Sequence, residues 1–179
     1  LGVVEALRRE LAGGLGAGFD EVAWDVASGA EEYARALPAL VSDVMFSAAR
    51  EAVRNAAEHG RGPKNNDHTR ELEGSRRLCL NVAMALRDGL EITVTDDGVG
   101  ISPDAFSDQG HGLGFYTILL AVLGGSMTVE SGAGGSTVVL WIPGHAPSRS
   151  RPSHARPVSP ALRCVLERLQ GVALTPLRA

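Results

Sequence analysis

The chain has 179 residues, of which 17 are basic and 21 acidic, for a formal net charge of −4 with histidines neutral. That length suits one domain of ordinary size with a real core. The acidic balance argues against a nucleic-acid-binding or polybasic membrane surface.

Cys79 and Cys164 have no partners at metal-ligand spacing and imply no disulfide framework, so they read as reduced thiols of a cytoplasmic domain. No apolar run approaches the roughly twenty residues that span a bilayer. Glu5, Arg8, Arg9 and Glu10 leave no signal peptide at the start. The first residue is Leu rather than Met, which leaves open membrane anchoring of a longer parent protein.

In chain order, Leu1 to Leu11 reads as a helix with Val3, Val4, Leu7 and Leu11 on one face. Gly13-Gly14 ends it. Phe19 to Ala27 alternates, placing Val22, Trp24 and Val26 on one side of a strand. Pro38 to His59 carries the strongest helical pattern. Pro38 suits its first position and Gly60 the position past its end, while Val41, Val44, Met45, Ala48, Ala52 and Ala56 form its apolar stripe. Residues 60–77 are polar and long for a connection, so a mobile surface insertion is expected. Leu78–Leu86 and Leu90–Thr95 read as strands joined at Arg87-Asp88-Gly89. After a loop over Ile101–Gln109 come a helix, Leu113–Leu123, and a last hairpin, Met127–Ser131 and Ser136–Ile142, stopped by Pro143. Residues 144–160, rich in Pro, Ser, Arg and His, read as a flexible linker. Residues 161–179 read as a short helix and tail, with Leu162, Val165, Leu166 and Leu169 on one side. Two hairpins rule out a purely parallel sheet. The expected fold is a two-layer α/β (α+β) sandwich, a mixed and mostly antiparallel sheet with helices on one face.

Three segments carry chemistry. On the long helix, Asn55 lies about 40° and His59 about 80° around the axis from Glu51, so the three form one polar stripe flanked by Arg54. An Asn amide oxygen is a hard ligand suited to Mg²⁺ beside phosphate and water, and a Glu one turn away can take or orient a proton. Alone, the stripe is also what a solvated helix face looks like. Asp96-Asp97-Gly98-Val99-Gly100 follows a strand. A carboxylate there can accept a hydrogen bond from an exocyclic amine, and the glycines let a ligand lie against the backbone; alone, it is also an ordinary Asp-Gly turn. Gly110-His111-Gly112-Leu113-Gly114 opens a helix, whose free N–H groups and dipole favour an anion such as phosphate. A loop rather than a first strand precedes these glycines, which speaks against a dinucleotide fingerprint. No Walker A sequence is present.

In this order the three segments resemble the N, G1 and G2 boxes of the GHKL ATPases (Bergerat fold), the gyrase-, chaperone- and histidine-kinase-type ATP-binding domains. Gly134-Gly135-Ser136-Thr137 is similar to that family's closing Gly-Thr element, and Gly124-Gly125…Glu130-Ser131 points to the sensor histidine kinases. The resemblance covers residues 1–143 and implies an ATP-binding catalytic domain with ATP and Mg²⁺ as cofactors. It implies Asn55 as the metal ligand and Asp96 as the anchor of the adenine amine, with Gly98 and Gly100 shaping the adenine side. Gly112, Leu113 and Gly114 would offer backbone donors to phosphate, and Ser136 or Thr137 would support Asp96 or the adenine. Residues 101–111 would be the ATP lid, with Ile101 and His111 in contact with nucleotide. Glu51 and His59 would be the catalytic pair, Glu51 orienting or deprotonating the phosphate acceptor.

None of the five histidines lies before an Asp or Glu on a dimerisation-type helix. The resemblance therefore implies transfer of the γ-phosphoryl group to a histidine outside this chain, on dimerisation helices of the same or another protein, with a response regulator downstream. No Lys or Arg occurs between Arg87 and Arg149. Phosphate binding would then rest on Mg²⁺, backbone dipoles, His111 and the basic residues Arg50, Arg54, Arg61 and Lys64; an arm closing through Lys64 or Arg70 is a further option for the insertion. Two other readings share the pocket: a stand-alone serine kinase of the anti-sigma-factor type, and a catalytically silent interaction module.

Overall fold

The computed structural model describes residues 2–62, 77–100 and 112–144. The chain divides into two compact units, Leu1–His145 and Ala146–Ala179. The second unit, with the expected linker and terminal helix, lies outside the described residues, as do most of the 60–77 insertion and the lid at 101–111.

The described helices are α1 (Val3–Ala12), α2 (Ala30–Ala36), α3 (Ala39–His59) and α4 (Leu113–Val122), with a single 3₁₀ turn at Leu15–Gly18. The strands are β1 (Glu21–Val26), β2 (Cys79–Leu86), β3 (Gly89–Asp96), β4 (Ser126–Gly132) and β5 (Gly135–Pro143). They form one sheet in the order β1-β2-β3-β5-β4. β1 pairs parallel with β2, and every other pair is antiparallel. The fold is therefore the mixed two-layer sandwich that the hairpins require.

The period-two pattern of the strands places the core on one face. Paired register lines up Met84, Ile92, Leu140 and Met127 in one row and Val82, Val94, Val138 and Val129 in the next. Leu90, Ile92, Leu140 and Ile142 are fully buried. Truncating such a leucine to alanine costs about 2–5 kcal/mol. Over this face lies α3, burying Val41, Val44, Met45, Ala48, Ala49, Ala52, Val53 and Ala56. The small alanines let the helix backbone approach the sheet closely. α1 covers α3 with Val3, Val4, Leu7 and Leu11, and α4 adds Leu113 and Leu120.

Three local expectations change. Pro38 has an extended ψ of 142° and caps α3 from outside its first turn. α2, AEEYARA, has no counterpart in the sequence reading. It buries only Ala30 and Ala34, too thin an apolar face for periodicity to register. Asp96, expected just past its strand, is the last paired residue of β3, and that pairing decides which way it points. No helix among the described residues is long and apolar enough to cross a membrane.

Candidate functional site

The site forms where α3 ends against the end of β3. α3 closes with the Gly60 N–H donating to the Ala56 carbonyl at 2.8 Å. The loop leaving β3 then crosses the helix end, with the Val99 N–H donating to the Gly60 carbonyl at 2.9 Å. Gly98 fits this crossing only because it has no side chain: a Cβ there would stand 2.5 Å from the Gly60 oxygen. Gly100 follows with φ +82° and turns the chain toward β4, where a Cβ would meet the Gly132 carbonyl at 2.3 Å.

Asp96 is 7% exposed and Ser136 6% exposed. They face each other across β3 and β5 on the core side, in a row completed by Leu80 and Ser131. Asp96 Oδ1 accepts the Gly98 N–H at 2.9 Å. Burial pushes the Asp96 pKa up; the N–H groups of Gly98 and Ser136 and the Ser136 hydroxyl pull the other way without cancelling it. Ser136 Oγ lies 3.4 Å from Ser131 Oγ. The neighbouring Asp97 is exposed, and its Oδ1 accepts the Cys79 N–H at 2.6 Å, so it ties β3 to β2 rather than facing the cleft. Burial, then Asp97, pushes the Cys79 thiol up, away from reactive thiolate.

The cleft beside Asp96 is lined by Asn55, His59 and Gly60 of the α3 end, Asp96, Ser136, Gly100 and Leu113, over Val94 and Val138. Gly112 precedes α4 in extended conformation and makes no side-chain cap, so among the described residues no side chain at the cap position takes up the first N–H groups of the helix. Among the described residues, beyond their own chain neighbours and helix backbone, nothing lies within 4 Å of where a Cβ would stand on Gly112 or Gly114. Ile101 and His111 lie outside the described residues.

Two candidates stand apart from this cleft. Thr137 points to the opposite sheet face, its Oγ1 lying 3.3 Å from Thr95 Oγ1. Of the Ser136-or-Thr137 pair, Ser136 is the one on the side of Asp96. Glu51 is 8% exposed and does not line the cleft. Its Oε1 accepts from the Arg54 guanidinium at 2.7 Å, and its charge reaches Tyr116 of α4. The helical stripe thus splits, Asn55 and His59 toward the cleft and Glu51 toward α4. Tyr116 and Ser131 are site neighbours that the sequence reading did not assign. A lone phenol in the mostly apolar LGFYTILLAV is the available signal for Tyr116.

Comparison with known proteins accords with this architecture. The family profile of the histidine kinase-, DNA gyrase B-, and HSP90-like ATPases matches residues 41–146. No curated protein matches. Among solved structures, the chain is similar to the histidine kinase domain of the blue-light activated histidine kinase from Erythrobacter litoralis EL346. The TM-score is 0.59 at 19% identity, over 80% of this chain and 61% of that one. It is also similar to the Acinetobacter baumannii histidine kinase AdeS, with a TM-score of 0.51 at 15% identity over 79% of this chain and 62% of that one. The chain thus spans about three fifths of the length of these structures. At such identities the likeness speaks for the fold, whereas the profile spans more than half of the chain and includes α3, β3 and the start of α4. The chain belongs to the histidine kinase-, DNA gyrase B- and HSP90-like ATPase family, as an ATP-binding domain similar to histidine kinase catalytic domains.

Proposed function

We propose that this domain is the catalytic part of a cytoplasmic protein-histidine kinase, which binds ATP with Mg²⁺ and transfers the γ-phosphoryl group to a histidine outside this chain. The observation that carries the nucleotide reading is the buried Asp96 carboxylate, set at a strand end in a cleft that also holds Asn55. A carboxylate kept from water there gains from a ligand N–H donor, and the adenine amine is one.

The remaining roles follow by position. Ser136 steadies Asp96, while Gly98 and Gly100 leave room for the base. The N–H groups at Gly112, Leu113 and Gly114 receive phosphate oxygens. Ile101 and His111, the end residues of the expected lid, are carried over as nucleotide contacts. Glu51 acts on the acceptor as base or polariser, with His59 beside the cleft as the second catalytic candidate. Among the described residues no group of three or more His, Cys, Asp or Glu could hold a metal unaided. One hard amide oxygen at Asn55, completed by phosphate oxygens and water, fits Mg²⁺. When bound, the ion would neutralise charge on the phosphates, and the protein contributes chiefly position and electrostatics. The partners of this reading are ATP and ADP, histidine-bearing dimerisation helices and a response regulator.

Calorimetry with ADP and Mg²⁺ on wild type, Asp96→Ala and Asn55→Ala tests the pocket: both substitutions should weaken binding, and unchanged affinity in both would reject it. Label transferred from [γ-³²P]ATP within the full-length gene product tests the acceptor. Acid-labile, base-stable phosphate supports histidine; acid-stable phosphate would assign a hydroxyl acceptor instead.

A further inference from the structure

Beside the cleft, α3 and α4 enclose a second polar cluster. Glu51 is buried, and its carboxylate is paired with Arg54, whose side chain is 49% exposed. α4 packs on α3, and Tyr116 of α4 is within electrostatic range of Glu51, Arg54 and Arg50; burial and then Glu51 hold its phenol protonated. Arg50 is engaged elsewhere, 3.0 Å from Glu10. Arg54 is thus the cation of this cluster whose anion is itself a candidate site residue.

Charge balance gives this pairing a consequence. The stretch that includes β3, the lid and α4 contains no Lys or Arg, since none occurs between Arg87 and Arg149. Tyr116 lies one turn into α4, and the first N–H groups of that helix are where phosphate would sit. Leu113, at the start of α4, lines the cleft together with Asn55, the residue after Arg54. The half-exposed guanidinium of this i,i+3 pair can reach a second anion without leaving the helix face. A phosphate group offers the same guanidinium a more highly charged, bidentate partner.

We propose, resting on the ATP-binding reading above, that Arg54 serves two anions in turn: the Glu51 carboxylate in the empty domain and the terminal phosphate of ATP in the loaded one. ATP binding then releases Glu51. Freed from its ion pair, the Glu51 carboxylate has an oxygen open to the phosphate acceptor, which is what a base there needs. The same exchange lets the domain tell ATP from ADP, because ADP lacks the phosphate that draws Arg54 away.

The test is calorimetry with Mg²⁺ and either ADP or a non-hydrolysable ATP analogue, on wild type, Arg54→Gln, Arg54→Lys and Glu51→Gln, with melting curves to show that each variant is folded. Arg54→Gln should weaken the analogue roughly tenfold and leave ADP within about twofold, as loss of a charge-assisted phosphate contact implies. Arg54→Lys should restore part of the loss. Glu51→Gln removes the competing anion and should tighten the analogue more than ADP. Equal effects of Arg54→Gln on both nucleotides, or none on either, overturn the exchange while leaving the ATP-binding reading intact. Failure of wild type to bind either nucleotide overturns both.

Discussion

Asp96 and Ser136 stand directly opposite each other on the core side of the β3–β5 pair. The rows beside theirs are hydrophobic from strand to strand. Among the described residues the buried polar side chains are Glu51, Asp96 and Ser136, all in the site or next to it. A buried carboxylate opposite a buried hydroxyl is costly to a fold unless a partner uses it, which makes this row the place where stability yields to function.

Asp96→Asn should therefore weaken nucleotide binding without weakening the fold. Burial raises the Asp96 pKa, so the folded state disfavours its charge. A carboxylate with a raised folded pKa gives most stability when protonated, and stability declines as pH rises from the ordinary carboxylate range through the folded value. The neutral amide escapes that penalty. The melting temperature of Asp96→Asn at pH 7 should equal or exceed that of wild type, while ADP affinity falls about tenfold or more through loss of a charged acceptor.

The same shift predicts the direction of pH dependence in binding. The carboxylate, not the acid, accepts the ligand amine. ADP affinity should fall as pH is lowered through the raised Asp96 pKa, and this component should be missing in Asp96→Asn. Calorimetry at a series of pH values from neutral downward checks it; a parallel fall in both proteins would place the titrating group elsewhere.

Ser136→Ala and Thr137→Val separate the two hydroxyls on β5. Ser136 shares the face of Asp96, and Thr137 shares that of Thr95 on the other side. Ser136→Ala should weaken ADP binding severalfold, about what one hydrogen bond to a charged group contributes. Thr137→Val should leave ADP binding unchanged, with only a small effect on melting.

The sequence made the elements around the site legible because each carries a strong local signal. α3 repeats its apolar residues at helical spacing over 21 residues, and β2, β3 and β5 alternate cleanly. Helical spacing also grouped Glu51 with Asn55 and His59, since about 40° and 80° of rotation separate them from it. It could not show that a neighbouring helix divides that stripe: α4 takes Glu51 through Tyr116, while the β3 end takes Asn55 and His59. The choice between Ser136 and Thr137 likewise depends on register, and a shift of one residue reverses which side chain faces inward.

The glycine crossing should be sensitive in one place and indifferent in another. Gly98→Ala puts a methyl 2.5 Å from the Gly60 oxygen, and Gly100→Ala adds a left-handed backbone to a clash with Gly132. Each should cost on the order of 1–3 kcal/mol of stability. Gly114→Ala, inside α4 with no described atom crowding the Cβ position, should instead stabilise by roughly 1 kcal/mol through helix propensity. Denaturant melts of the three variants check the contrast.

Asp20 provides the last prediction, away from the cleft but on its foundation. Its Oδ2 accepts the Leu78 N–H at 2.7 Å and an Arg61 N–H at 2.9 Å, and its own N–H donates to the Leu78 carbonyl at 2.8 Å. One residue thus starts the parallel β1–β2 pair and ties down the chain as it leaves α3, where Gly60 meets the Asp96 loop. The Leu78 N–H, then Arg61, hold the Asp20 carboxyl below the ordinary carboxylate range. A lowered folded pKa means stability that is present above the unfolded value and lost as pH falls through the folded one. Asp20→Ala should lower the melting temperature at pH 7, and the gap from wild type should close as acid protonates Asp20 in both folded and unfolded chains. A gap that stays constant into strong acid would show that the carboxylate charge contributes nothing there and that Asp20 acts through its backbone alone.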